Sequence, residues 1–138
     1  MGKYAADSLY VYSPRIEADN LPLSYVSRFE RFECTGAEGS LAAVEFVRAG
    51  TLTAGDRPEL FFFRVNGEEV TVGLSGSALE ELQRQRHLTR EEKIDLAGLH
   101  LQRQLQTSRP LDARSLYVQL EGLRDLAAAL QIRTTRQP

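Results

Sequence analysis

Residues 59–74 read ELFFFRV, then Asn66-Gly67, then EEVTVGL, and no other stretch limits the fold so tightly. Asn-Gly between two β-prone runs supplies the positive φ that a type I′ turn needs at both central residues, so it closes a two-residue hairpin. The turn fixes the register, with Val65 opposite Glu68, Arg64 opposite Glu69, Phe63 opposite Val70, Phe62 opposite Thr71 and Phe61 opposite Val72. One face of the ribbon is then Phe61, Phe63, Val65, Val70, Val72 and Leu74, which must be core. The other carries Leu60, Phe62, Arg64, Glu69, Thr71 and Gly73, with Arg64 and Glu69 as an opposite-charge cross-strand pair.

A lone hairpin is not stable in water and needs at least a third strand. Leu41–Ala49, rich in Val and Phe and flanked by glycines, is the expected partner, although Leu41, Val44 and Val47 would also suit a helix. Leu9-Tyr10-Val11-Tyr12, closed by Ser13-Pro14, reads as an additional edge strand. Between these runs, Tyr25, Val26, Phe29 and Phe32 recur at helical spacing after Asp19-Asn20-Leu21-Pro22. They predict a helix from about Pro22 to Cys34, stopped by Thr35-Gly36.

After Leu74 the pattern turns helical. Ser77 with Glu80 and Thr89 with Glu92 each have the form of a capping box. The second opens the strongest helix, Arg90 to about Gln106, whose apolar face is Ile94, Ala97, Leu101 and Leu105, widened by Leu96 and Leu99. In the tail, Leu116, Leu120, Leu123, Ala127 and Leu130 predict one long helix. The alternative is a strand over Leu116–Leu120, a turn at Glu121-Gly122 and a shorter helix to Leu130. These elements make a single α+β domain over residues 1–138: a small antiparallel sheet built on the central hairpin and packed by helices, mostly C-terminal.

Composition limits function. At 42% hydrophobic and 26% charged residues the chain is globular in character, and one cysteine, Cys34, excludes an internal disulfide. The absence of a long apolar run argues against a membrane span, and a cytoplasmic protein is the expectation. A net charge of −2 does not by itself suggest a polyanion partner.

No complete catalytic constellation is visible, so the chain is not expected to be an enzyme, and neither a cofactor nor a metal is expected. His87, Glu91 and Asp95 have a four-residue spacing, but Thr89 as N-cap takes His87 off the helix. Glu91 and Glu92 are acidic residues of the kind a helix N-terminus favours. His100 has no Ser or Cys partner, and Cys34 reads as a small buried hydrophobe. Gly73-Leu74-Ser75-Gly76 lacks the lysine of a phosphate loop.

Two binding readings remain. Phe62 and Leu60 lie on the hairpin face opposite the core and, with Arg64 and Glu69, have the make-up of an apolar centre with a polar rim. Either helices cover that face, with Phe62 lying over Gly73, or it docks another protein or a second copy. The leading expectation is therefore a non-catalytic binding or regulatory module acting through protein–protein contacts, as a homodimer in one form. The alternative is nucleic-acid binding through Arg84, Arg86, Arg103, Arg109 and Arg114 on the helices. No aromatic or helix-turn-helix signature accompanies those arginines.

Overall fold

The computed structural model describes residues 26–107 and 115–135. Five strands, β1 (Arg31–Thr35), β2 (Leu41–Thr51), β3 (Glu59–Val65), β4 (Glu68–Leu74) and β5 (Ser115–Val118), lie in one sheet in the order β1-β2-β3-β4-β5. The first four pair antiparallel, and β5 runs parallel to β4. Helices α1 (Gly76–Leu82), α2 (Arg90–Thr107) and α3 (Leu120–Leu130) supply the other layer. The class is α+β, with one parallel pair added to the expected antiparallel sheet. The expected strand over residues 9–12 lies outside the described residues.

The central hairpin has the register that its turn dictates, Val65 opposite Glu68 through Glu59 opposite Leu74. Asn66 and Gly67 both have positive φ, 50° and 88°. Phe61, Phe63, Val70, Val72 and Leu74 are buried and form the centre of the core with Val44 of β2. Full burial of a side chain such as Phe63 is worth about 1.5–3 kcal/mol relative to leaving it in water.

The helix expected over 22–34 does not form in its described part. Residues 28–30 are bends and Arg31–Thr35 is a strand on the edge of β2. Phe32 and Cys34 point to the core side while Arg31, Glu33 and Thr35 are exposed, an alternation of period two. Phe29 and Phe32 do meet, edge to face at 5.2 Å, but across the chain's turn into the strand. Thr35-Gly36 begins the β1–β2 turn, where Gly36 N–H donates to the Ser40 carbonyl at 2.8 Å.

The helices follow their caps, with one correction. α1 is capped by Ser75, whose Oγ accepts from Ala78 N–H at 3.2 Å, so Ser77 lies inside the first turn. α2 has the expected reciprocal box: Thr89 N–H donates to Glu92 at 2.8 Å and Glu92 N–H donates to Thr89 Oγ1 at 3.1 Å. Ile94, Leu96, Ala97 and Leu101 are its buried apolar side chains, and Leu99 and Leu105 pack at the margin. The single long C-terminal helix is replaced by β5 followed directly by α3. Leu116 belongs to the sheet, because β4 offers a free edge and Ser75 N–H donates to the Val118 carbonyl at 2.9 Å. α3 ends on Gln131 in the left-handed conformation, with Ile132 N–H returned to the Ala127 carbonyl.

The N-terminal approach to β1 is held by α2. Asp95 is fully buried, and its carboxylate accepts from Ser27 Oγ at 2.7 Å and from the N–H groups of Arg28 and Phe29 at 3.0 Å. One turn on, a Cβ at Gly98 would lie 2.4 Å from Phe29 Cβ. Only glycine lets the phenylalanine come so close to the helix.

Candidate functional site

The alternation that buries Phe61 and Phe63 sends Leu60, Phe62 and Arg64 to the other side of the sheet. Register extends that face to both edges. Glu45 lies opposite Arg64 and Arg31 opposite Glu45, while Thr71 and Gly73 face Ser115 and Tyr117. Strict alternation along β2 would put Arg48 on the core side with Val44 and Phe46. A bulge at Val47 shifts the register so that Phe46 faces Phe63 and Arg48 faces Phe62. One extra residue turns the arginine outward.

Phe62 and Leu60 are half-buried, and among the described residues both have neighbours on the same face. The Arg48 guanidinium carbon sits 4.1 Å from the Phe62 ring centroid, and the edge of that ring lies over Gly50, 3.8 Å from the position a Cβ would take. Gly73 is covered from two sides, with Leu60 Cδ2 and Tyr117 Cδ1 each 3.3 Å from its would-be Cβ. The ring over Gly73 is therefore that of Tyr117, and Phe62 lies over Gly50. Leu60, Phe62 and Tyr117 thus form an apolar strip across β3, β4 and β5 on a floor of two glycines. Tyr117 is 46% exposed, and Leu41, on the same face, 60%.

The rim is ionic. Arg48 pairs with Glu69 at 3.1 Å and Arg64 with Glu45 at 3.6 Å. Arg64 and Glu69 are opposite in register as expected, yet each forms its salt bridge with a residue of β2. These pairs are exposed and each is worth at most about 1 kcal/mol. Leu60, Phe62, Arg64 and Glu69 are brought together. Arg48, Glu45, Gly50 and Tyr117 complete the surface. Only the break in alternation at Phe46-Val47-Arg48 could have identified Arg48 from sequence.

At the Tyr117 end, the strip joins a polar knot. Asp56, in the loop between β2 and β3, accepts from the Ser75 hydroxyl, from Tyr117 Oη at 2.6 Å and from Ser77 N–H at 3.1 Å. These donors, Ser75 first, hold the Asp56 carboxyl well below the usual carboxylate range, and Asp56 in turn raises the Tyr117 hydroxyl above its ordinary value. Gly76 presses on the same loop, its would-be Cβ 2.1 Å from the Asp56 carbonyl oxygen. The knot ties loop, α1 and β5 together.

The three arginines of the expected polyanion set that lie among the described residues have acidic partners. Arg84 pairs with Glu81 at 3.2 Å, Arg86 with the buried Glu92 at 2.7 Å, and Arg103 with Asp125 at 3.0 Å. Arg86 also donates to the carbonyl of Arg133 at 2.8 Å, which ties the α1–α2 loop to the chain after α3. Arg109 and Arg114 lie outside the described residues. His87 is exposed before α2 while Asp95 is fully buried. Among the described residues no group of three or more His, Cys, Asp or Glu is placed to hold a metal ion, and no helix is long and apolar enough to cross a membrane. No protein-family model, curated protein or solved structure matches this chain.

Proposed function

We propose that the chain is a non-catalytic protein-binding module whose docking surface is the sheet face opposite the helices. The observation that carries the reading is the strip of Leu60, Phe62 and Tyr117, set across two glycines and rimmed by ion pairs. An apolar centre containing aromatics and arginine, ringed by charge, is the composition of an interface centre and its rim. Arg48, stacked on Phe62 and tethered to Glu69, is already ordered, so less side-chain entropy is lost when a partner covers it.

Phe62→Ser tests the reading because Phe62 lies away from the core. At concentrations where the chain is monomeric, the variant should lose no more than about 1 kcal/mol of stability, whereas truncating a core phenylalanine costs about 3–5 kcal/mol. Capture of protein partners from nuclease-treated lysate of the source cell should fall at least roughly tenfold, which corresponds to about 1.4 kcal/mol. Undiminished capture by a folded variant would remove the face from the proposal.

A further inference from the structure

We infer that the partner on this face is a second copy of the same chain, the two sheets stacked face to face about a two-fold axis. The inference rests on the reading of the open face as a protein-docking surface and names its occupant.

Charge is the first argument. By register, Arg31, Glu33, Glu45, Arg48, Arg64 and Glu69 share the face. Three are positive and three negative, spread around the apolar strip, and the Asp56 carboxylate stands at its Tyr117 end, so among the described residues the surface carries both signs in near balance. A strongly basic or acidic partner would meet as many like charges as opposite ones, and a like-charge meeting is costly. A two-fold interface pairs a patch with itself, and it needs both signs on that patch around an apolar centre. This face meets that condition. A nucleic-acid strand would need a surplus of positive charge, which the three glutamates cancel.

Size is the second argument. Five strands about 4.8 Å apart and about seven residues long at about 3.3 Å each span roughly 500–550 Å² per copy before side-chain relief. Two copies therefore bury on the order of 1,100 Å², just above the roughly 1,000 Å² expected of a specific interface. Facing sheets pack about 10 Å apart, and the Phe62 and Tyr117 rings fill the space over Gly50 and Gly73, so the strip meets a facing copy as a continuous apolar surface.

Sedimentation equilibrium from low to high micromolar concentration provides the test, with two charge-reversed variants of the full chain. One is Arg48→Glu with Arg64→Glu, and the other is Glu45→Arg with Glu69→Arg. Wild type should dimerise. Each variant alone, shown to be folded by circular dichroism and denaturation, should self-associate at least roughly tenfold more weakly because like charges now face each other. An equimolar mixture of the two should recover dimers, read by fluorescently labelling one of them. Phe62→Ser, which leaves every charge in place, should weaken the dimer by at least the same factor.

A wild type that stays monomeric throughout, or folded variants whose mixture does not recover association, would overturn the inference. If the monomeric wild type still captures another protein and Phe62→Ser abolishes that capture, self-docking fails while the protein-binding reading stands. If Phe62→Ser unfolds the monomer as a core truncation would, the face is covered within the chain and both fail.

Discussion

At the scale of single residues, two glycines show two different reasons for having no side chain. Gly67 has open space around the position of a Cβ, and its constraint is the φ of 88° in the turn. Gly76 has no such constraint, but a Cβ there would lie 2.1 Å from the Asp56 carbonyl oxygen and 2.4 Å from that of Arg57. Gly67→Val should therefore cost about 1–2 kcal/mol through conformation alone, since a β-branched residue resists positive φ. Gly76→Ala, although chemically smaller, should cost a comparable or larger amount, about 1–3 kcal/mol, because backbone has to move. Urea denaturation of both variants checks the pair, and an Ala at position 76 with unchanged stability would contradict the close approach. Asn66 adds a third role. Its side-chain oxygen accepts from Ala43 N–H at 2.9 Å and its own N–H donates to the Ala43 carbonyl at 2.9 Å. The turn residue thus also extends the pairing of β2, which helps to place Glu45 beside Arg64.

At the scale of elements, β5 has only four residues, yet it brings Tyr117 onto the open face. Its attachments are pairing with β4, the Ser75–Val118 backbone bond and the Tyr117–Asp56 hydrogen bond. Tyr117→Phe removes the last of these while keeping the ring over Gly73. Hydrogen exchange should then show faster opening at Ser75 N–H and along β5, while the β3–β4 amides keep their protection. Unaltered exchange at Ser75 would mean that the knot does not hold the strand. The legibility of these elements in the sequence follows from the range of their contacts. The β3–β4 register is dictated by a dipeptide at its own turn, and the Thr89–Glu92 box by residues three apart. β1 is obscured because Phe29 and Phe32, three apart and in ring contact, imitate a helix, whereas the backbone there is set by the docking of Phe29 against Gly98, far along the chain. β5 depends on a parallel edge more than forty residues earlier. The knot joins Asp56 to Tyr117 across 61 positions, a pairing that no local pattern carries. Phe62 was legible as an outward residue, but its cover by Arg48 required the bulge.

At the scale of the whole molecule, folding stability should respond to pH at both ends of the range, with Asp56 acting at each. A carboxyl whose folded pKa is depressed adds stability that is present above its unfolded value, about 3.9. That stability is lost as pH falls below this value towards the lowered one. Asp56 is such a group, through the hydroxyls of Ser75 and Tyr117 and the Ser77 N–H. Tyr117 has the opposite sign. Its hydroxyl is raised mainly because it donates to Asp56, so its contribution is complete below the unfolded value of about 10 and lost as pH rises through the raised one. His100 supplies a separate step. Burial first, and then the charge of Arg103, lower its pKa, so protonation favours the unfolded chain as pH falls below about 6.5. His100→Gln should flatten the loss of stability that sets in as pH falls below about 6.5 and leave the two outer steps in place. Asp56→Asn should do the reverse, leaving the His100 step while flattening both the loss below about pH 4 and the loss above about pH 10. Denaturation midpoints for the three proteins, measured from pH 3 to pH 11, separate these contributions. An Asp56→Asn variant that loses the acid step but keeps the wild-type alkaline step would show that Tyr117 is raised by something other than the Asp56 carboxylate. The knot would then have to be divided into two independent contacts.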